Sequence, residues 1–456
     1  MPGEKKRFVI IGGGPGGTTC ATHAARLGAE VTLIEKDIVG GAANLLDCIP
    51  SKAMIATGGA MSMMKAAADM GLATVDVQLD FEALRERIVQ IEDHLEHSVS
   101  SLLESQGVRI IEGTGRLVGP NLVVAEGKDG RTHELEADVI LLSTGSRPRL
   151  PDWAPIDGER VLATRHAYPP PELPEHLIVV GSGVTGVEFV HMFSSFGSKV
   201  TLIVSRNQVL PGKDPEVAGV LEQSFLDRGV KLVMGARAEG IDVTDDGVVL
   251  RCDDGRAIAG SHVLMAIGSI PNSEHLGLEE AGVESEWGYV KVDHNCLTNV
   301  PGVYAAGDLS GKLPLASVAS MQGRKIAEHA MGLHAGPHRH LDYDKAASAI
   351  FTDPEIADVG LAEADAFASG RKVRVTKVPF SVSAKAQINN DPRGFVKIVS
   401  DPATGVVLGG SIVGRHAAEL ISVISLAVTA GLTVNDMVES LFVHPALAEV
   451  LSEAAE

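Results

Sequence analysis

The chain has 456 residues, more than one domain's worth; 45% are hydrophobic and 50 are glycine, the profile of a well-cored, loop-rich protein of several domains. A formal charge of -20 excludes nucleic acid and anionic membrane surfaces as partners, because both demand basic patches. The scattered cysteines Cys20, Cys48, Cys252 and Cys296 exclude a secreted disulfide framework.

The basic start is followed by an apolar run of only Phe8 to Ile11, too short for the apolar core of a signal peptide. No stretch approaches the roughly 18 apolar residues of a membrane span. The expected location is cytoplasmic, without membrane insertion, and no metal site is read from the sequence.

Residues 7–11, RFVII, predict a short strand, GGGPGG opens a helical run, and EVTLIEK predicts a second strand. Gly12, Gly14 and Gly17 have G-x-G-x-x-G spacing, and Glu35 closes the second strand. Glycines let the backbone approach a pyrophosphate at a helix N-terminus, and the acid accepts a ribose hydroxyl, so this βαβ opening predicts a dinucleotide site. Next comes GGAANLLDCIPSK, in which Cys48 has no cysteine nearby. Cys48 is expected to lie just before a helix start, with Pro50 in the first turn and Ser51 and Lys52 adding dipole and charge, a setting that favours a thiolate. An inert residue packed in place is the alternative reading.

Residues 78–107 predict a charged amphipathic helix, and 108–142 alternate as strands ending in LLSTGSRP. The proline-rich YPPPELPEH (168–176) reads as a domain linker. The strand LIVV then runs into GSGVTG, where Gly181, Gly183 and Gly186 repeat the first fingerprint. Two such units imply two dinucleotides with electrons passing between them. In the second unit Val204 stands where Glu35 stands in the first, followed by Ser205 and Arg206. Arg206 suits a 2′-phosphate, so the second site leans toward NADPH, with NADH left open. VLMAIGSIPN (263–272) echoes the STGSRP ending, VYAAGD supplies Asp308, and beyond about residue 345 alternating strands lead to a helix and FVHPALAE.

GGGPGG with Glu35, GG…CIPSK, STGSRP, GSGVTGVE, VYAAGD and HPALAE occur in this order, and along essentially its full length the chain resembles the flavoprotein disulfide reductases, the group of dihydrolipoamide dehydrogenase, glutathione reductase and mercuric reductase. The resemblance implies an α/β fold with two Rossmann-like dinucleotide-binding domains, for FAD and NAD(P), and an α+β C-terminal domain that builds a homodimer. The implied boundaries are an FAD-binding domain at 1–150 and again at 273–344, an NAD(P)-binding domain at 151–272 and a dimerisation domain at 345–456. It assigns Asp308 to the FAD ribitol and Glu35 to its adenosine ribose, and adds Gly41, Gly115, Thr144, Gly145, Ala316 and Gly268 to the cofactor-binding residues. Lys52 is placed beside the flavin and paired with Glu188, where an ammonium stabilises the negative charge of reduced flavin.

Family members carry C-x4-C before I-P-S-K, and here the first of those positions is Ala43. The absent thiol is the one that attacks a disulfide substrate; Cys48 is the one that lies against the flavin. Disulfide reduction is expected to be lost or badly slowed, leaving reduced FAD to pass electrons directly to quinone-type acceptors. The chain also resembles a single-cysteine subfamily associated with NAD(P)H:quinone reductase activity. His444 and Glu449 keep the spacing of the family's proton-transfer pair, although Ala446 and Ala448 replace its Thr and Ser. His444 is read either as a remnant or as a proton donor to the reduced acceptor. Two rivals stand beside this reading: a reductase of peroxide or small disulfides working through the single thiol of Cys48, and a flavin-bearing regulatory subunit without turnover.

Overall fold

The computed structural model describes residues 5–73, 77–333 and 341–456. The chain forms two compact units, one built from Met1–Pro50, Glu82–Arg149 and Ser269–Tyr343, the other from Ser51–Phe81, Leu150–Gly268 and Asp344–Glu456. Among the described residues no helix is long and apolar enough to cross a membrane.

The first unit is organised by a seven-stranded sheet in the order Val303–Ala305, Val139–Leu142, Arg7–Ile11, Glu30–Glu35, Arg109–Gly119, Leu122–Gly127, Thr132–Glu136. The first five strands run parallel, and the last two continue as an antiparallel meander. RFVII has no polar alternation because a parallel strand covered on both faces buries every side chain along it; only Arg7, at its start, is half-buried. The register sets Ile11 beside both Ile34 and Leu142, so three strands end together where the first fingerprint begins. Helices Pro15–Arg26 and Ala316–Ala330 cover one face. They meet backbone to backbone, since a Cβ on Gly323 would lie 2.1 Å from the Gly16 carbonyl oxygen.

The second unit holds a parallel five-stranded sheet, in the order Lys231–Met234, Lys199–Val204, His176–Val180, His262–Met265, Val161–Ala163. A three-stranded antiparallel sheet from Ala238 to Gly260 stands in the chain between strands Lys231–Met234 and His262–Met265. The C-terminal segment forms an antiparallel sheet of five strands, and helix Ala417–Ala430 packs Ile421, Ile424 and Val428 into its core.

The proline-rich stretch 168–176 is not a linker between domains. Strand Val161–Ala163 precedes it and already belongs to the second unit's sheet, pairing in parallel with His262–Met265. Tyr168 stacks on Phe189 with ring centroids 4.9 Å apart. Prolines exclude regular hydrogen bonding wherever they fall, so the stretch marks a break between two strands of one sheet rather than a boundary.

One buried charge fastens the second unit internally. The side chain of Lys397, in strand Phe395–Ser400, is 2% exposed. Its Nζ lies 3.0 Å from Asp214 and 2.6 Å from Glu363, and it also meets Glu216. Asp214 in turn caps helix Pro215–Asp227 by accepting from the Glu216 N–H at 2.9 Å. Burial opposes the ammonium, but hydrogen bonds to Glu216, Glu363 and Asp214 outweigh it and raise the Lys397 pKa above the ordinary lysine value. The Glu216 carboxyl is lowered by its bonds from Lys377 and Lys397. A depressed carboxyl contributes stability that is present above its unfolded pKa and lost as pH falls through the folded one. Replacing Lys397 with Met leaves the buried Asp214 uncompensated. Thermal or urea unfolding should show a loss of about 3 kcal/mol near neutral pH. The loss should shrink as pH falls below the ordinary glutamate value, roughly 4.3, and through the lowered range of the Glu216 carboxyl, where its bond to the ammonium is lost.

Candidate active site

The turn from strand Arg7–Ile11 into helix Pro15–Arg26 depends on Gly12, at φ +106, where a Cβ would stand 2.2 Å from the Ser143 carbonyl oxygen. A Cβ on Gly17 would lie 2.0 Å from the Gly12 carbonyl oxygen, and one on Gly41 would lie 2.5 Å from the Gly14 Cα. Gly14 is the helix N-cap and no side chain caps it, so the helix N-terminus keeps backbone donors that no capping side chain takes. Uncapped donors at the positive end of a helix, with no Cβ in the way, fit the pyrophosphate of a dinucleotide.

The second fingerprint reproduces this geometry. Gly181 has φ +113, a Cβ on it would stand 2.3 Å from the Ala266 carbonyl oxygen, and a Cβ on Gly186 would be 1.8 Å from the Gly181 carbonyl oxygen. The caps Gly14 and Gly183 have φ/ψ of -71/-176 and -77/-174, and neither receives a side-chain hydrogen bond. Nothing lies within 4 Å of a Cβ built on Gly183.

The two sites differ at the end of the second strand. Glu35 is 9% exposed; one carboxylate oxygen accepts from the Gly13 N–H at 2.6 Å and the other from the Asp37 N–H at 2.7 Å. It braces the fingerprint turn and keeps lone pairs for a ribose hydroxyl. Val204 is fully buried and offers no acceptor there, while Ser205 and Arg206 are exposed beyond it.

The two echoing motifs of the sequence are paired in space. Ser146–Pro148 runs antiparallel to Ser269–Pro271, with Ser146 opposite Pro271. Thr144 and Asn272 exchange side-chain-to-carbonyl bonds at 2.7 and 2.9 Å, and the Asn272 N–H donates to the Gly145 carbonyl at 2.9 Å. Arg147 grips Glu274 through both guanidinium Nη atoms, and those bonds pull the Glu274 carboxyl down to about 2. The Ser146 hydroxyl donates to the Asp308 carboxylate, which brings Thr144, Gly145 and Asp308 together. The turn carrying Asp308 is held by Gln322, whose carbonyl accepts from the Gly307 N–H at 2.7 Å and whose amide donates to the Tyr343 hydroxyl at 2.9 Å. Ala316 is the exposed first residue of its helix. Gly115 lies in strand Arg109–Gly119, its missing Cβ making room for Ile34 and Ile11. Gly268 is exposed, with open space around it.

Cys48 does not precede a helix start. Residues Ala43–Cys48 form a π-helical turn that continues into helix Ile49–Lys65, and the Ile49 N–H donates five residues back, to the Asn44 carbonyl. The N-cap is Ala42, so Cys48 lies a turn inside the helical run, away from the positive terminus. Pro50 does not mark a first turn: the wide turn before it accommodates a residue with no N–H to give, as π segments in helices do. Because a π turn bonds residue i to i+5, Ala43 and Cys48 fall one over the other along the run. Cys48 is exposed and outside any disulfide; Cys20, Cys252 and Cys296 are buried. Burial pushes the Cys20 thiol up to about 12 and that of Cys296 up to about 11, and it also raises Cys252.

Lys52 and Glu188 meet at 2.8 Å, with the glutamate side chain 6% exposed and the lysine 35%. His444 and Glu449 form a second pair: the imidazole Nδ1–H donates to one carboxylate oxygen at 2.7 Å, and the other oxygen accepts from the Ala446 N–H at 2.8 Å. The bonds from Ala446 and then His444 lower the Glu449 carboxyl. With Nδ1 engaged, the ring is oriented and presents Nε2 at an exposed position. Sequence reasoning passed over Ser146, Asn272 and Gln322. Ser146 lies inside the STGSRP motif, but its partner is 162 residues away. Gln322 carried no local signal.

The sequence pattern of the Pyridine nucleotide-disulphide oxidoreductase family matches residues 6–323, and that of the family's dimerisation domain matches 346–455. An NAD(P)H dehydrogenase (quinone) of Mycobacterium tuberculosis is 42% identical over 98% of this chain and 93% of its own length. A dihydrolipoyl dehydrogenase of Bacillus subtilis is 34% identical over 98% and 95%. Among solved structures, LpdA from Mycobacterium tuberculosis superposes with a TM-score of 0.94 at 41% identity, covering 99% of both chains. The HOCl-induced flavoprotein disulfide reductase RclA from Escherichia coli gives 0.86 at 25% identity over 98% and 99%. The chain therefore belongs to the pyridine nucleotide-disulphide oxidoreductase family and is an FAD-dependent oxidoreductase that uses NAD(P)H.

Proposed function

We propose that this enzyme takes electrons from NAD(P)H onto FAD and delivers them directly to quinone-type acceptors, without a disulfide relay. The observation that carries this is the π turn: Ala43 stands one turn before Cys48, where a relay needs its second sulfur, and the other thiols are buried and hard to ionise. The name of the 42% identical relative points the same way. FAD supplies the chemistry of accepting a hydride and releasing its electrons to the acceptor.

The chain's own residues divide the remaining work. The first glycine turn and Glu35 take the flavin dinucleotide, and Thr144, Gly145 and Asp308 take its flavin half. The second turn takes the pyridine nucleotide, with Ser205 and Arg206 reading its ribose edge in favour of NADPH. Lys52, held by Glu188, compensates negative charge on the reduced cofactor. His444 Nε2, aimed by Glu449, gives a proton to the acceptor as it is reduced. The match to the dimerisation domain supports a homodimer built through residues 346–455.

NADPH and NADH oxidation by the flavin-loaded protein, followed with benzoquinone in one cell and lipoamide in another, tests the reading. Quinone turnover without lipoamide turnover is expected, and lipoamide turnover at a comparable rate would overturn it. Cys48 is exposed, which favours the single-thiol alternative enough to test it. Cys48→Ser should leave quinone turnover within about twofold, a change worth less than ~0.5 kcal/mol, whereas its abolition would support thiol chemistry.

Ala43→Cys restores the spacing of a relay. Its oxidised form should lose two titratable thiols relative to the reduced form and gain lipoamide reductase activity. Gly186→Ala forces a methyl onto the Gly181 carbonyl. The KM for NADPH should rise roughly tenfold or more, equivalent to about 1.4 kcal/mol, with flavin content unchanged.

A further inference from the structure

We infer that Phe351 is a positioning residue for the hydride path, acting through Lys52. Phe351 touches both members of the Lys52–Glu188 pair. Its backbone N–H donates to Glu188 Oε1 at 3.0 Å, and Lys52 Nζ holds the other oxygen at 2.8 Å. Its ring lies beneath the same ammonium, 4.9 Å from Nζ to the centroid.

Each contact answers a separate physical problem. A carboxylate as buried as that of Glu188 is costly unless both of its oxygens are satisfied, and Phe351 N–H supplies the partner that Lys52 leaves unmet. Lysine is a point charge on a four-carbon stem, and one ion pair does not fix it in direction. An aromatic face within about 6 Å attracts the ammonium from a second side and restrains it. The ring is itself well placed to impose a position. It follows strand Ser348–Ile350, whose Ile350 is 1% exposed, and precedes Thr352, which is 3% exposed and bonded to the Pro354 carbonyl at 2.7 Å.

Any residue at 351 supplies the N–H. Only an aromatic one supplies the face, so the two contributions separate by substitution. Phe351→Leu keeps the backbone bond and the apolar bulk and removes the π system; Phe351→Tyr keeps all three.

The inference rests on the reading that Lys52 stands beside the flavin. Its test is the midpoint potential of the bound flavin, measured by equilibration with a reference dye in the holoprotein and in Phe351→Leu, Phe351→Tyr, Lys52→Met and the Phe351→Leu/Lys52→Met double variant. Phe351→Leu should make the potential more negative, Phe351→Tyr should restore it, and Lys52→Met should lower it further. In the Lys52→Met background Phe351→Leu should have no additional effect, because its influence passes through that ammonium. Flavin reduction by NADPH should slow several-fold in Phe351→Leu and recover in Phe351→Tyr.

A shift in the double variant as large as in the wild-type background would mean a general structural effect and overturn the inference. So would an unshifted Phe351→Leu beside a shifted Lys52→Met, a result that leaves the reading of Lys52 intact. An unshifted Lys52→Met overturns the placement of Lys52 at the flavin, and the role of Phe351 with it.

Discussion

Helix and strand meet without side chains between them at both nucleotide fingerprints, and the architecture of the site follows from that contact. A Cβ on Gly17 or Gly186 would lie 2.0 or 1.8 Å from the carbonyl oxygen of the glycine that begins the turn, closer than any pair of such atoms can stand. The contact brings each helix N-terminus to the end of its strand and holds it there. Free N–H groups are thereby delivered to a fixed place, and no side chain competes for them. In the first unit the neighbouring strand ends at Glu35, whose carboxylate ties back to the same turn. In the second, a buried valine ends the corresponding strand, and the polar groups fall one and two residues later, in solvent. One scaffold, used twice, thus presents two different edges to its ligands.

Away from the fingerprints, two buried charges tie distant segments of the second unit together. Glu188 and Lys397 are both nearly inaccessible, and each is matched by partners from distant segments of the chain. Such groupings do not make a fold much more stable than well-packed apolar residues would, but an unmatched member is costly, so they penalise alternative arrangements. Lys397 draws the cap of helix Pro215–Asp227 and the C-terminal sheet to one point. Glu188 does the same for helix Ile49–Lys65 and the residues after strand Ser348–Ile350. The C-terminal segment, which matches the family's dimerisation domain, therefore also takes part in arranging Lys52.

Much of this was legible in the sequence because it is local. Glycine spacing, the apolar runs on either side and the acid closing the second strand fall within about thirty residues and have one physical explanation. The π turn was not legible: its residues have the composition of an ordinary helix start, and only the backbone bond from Ile49 to Asn44 distinguishes it. That one detail moves Cys48 from before a helix to inside one and removes the dipole argument for its reactivity, while strengthening the case that position 43 is its natural partner. The proline cluster misled for a related reason, since composition shows where regular bonding stops but not which elements lie on either side. Asn272 and Phe351 act on partners 128 and 163 residues away, and no spacing rule reaches that far.

The antiparallel pairing of Ser146–Pro148 with Ser269–Pro271 sets Pro148 opposite Ser269, side by side at the spacing of adjacent strands, about 5 Å. Everything from residue 150 to 268 is therefore interposed between two chain ends that already touch. For the first unit, this long excursion is topologically equivalent to the short loop of a hairpin. Its closure is secured by the ladder and by the Arg147–Glu274 clasp, whatever length of polypeptide lies beyond. Neither hydrophobic core of the first unit takes a residue from this excursion, so those cores are complete without it.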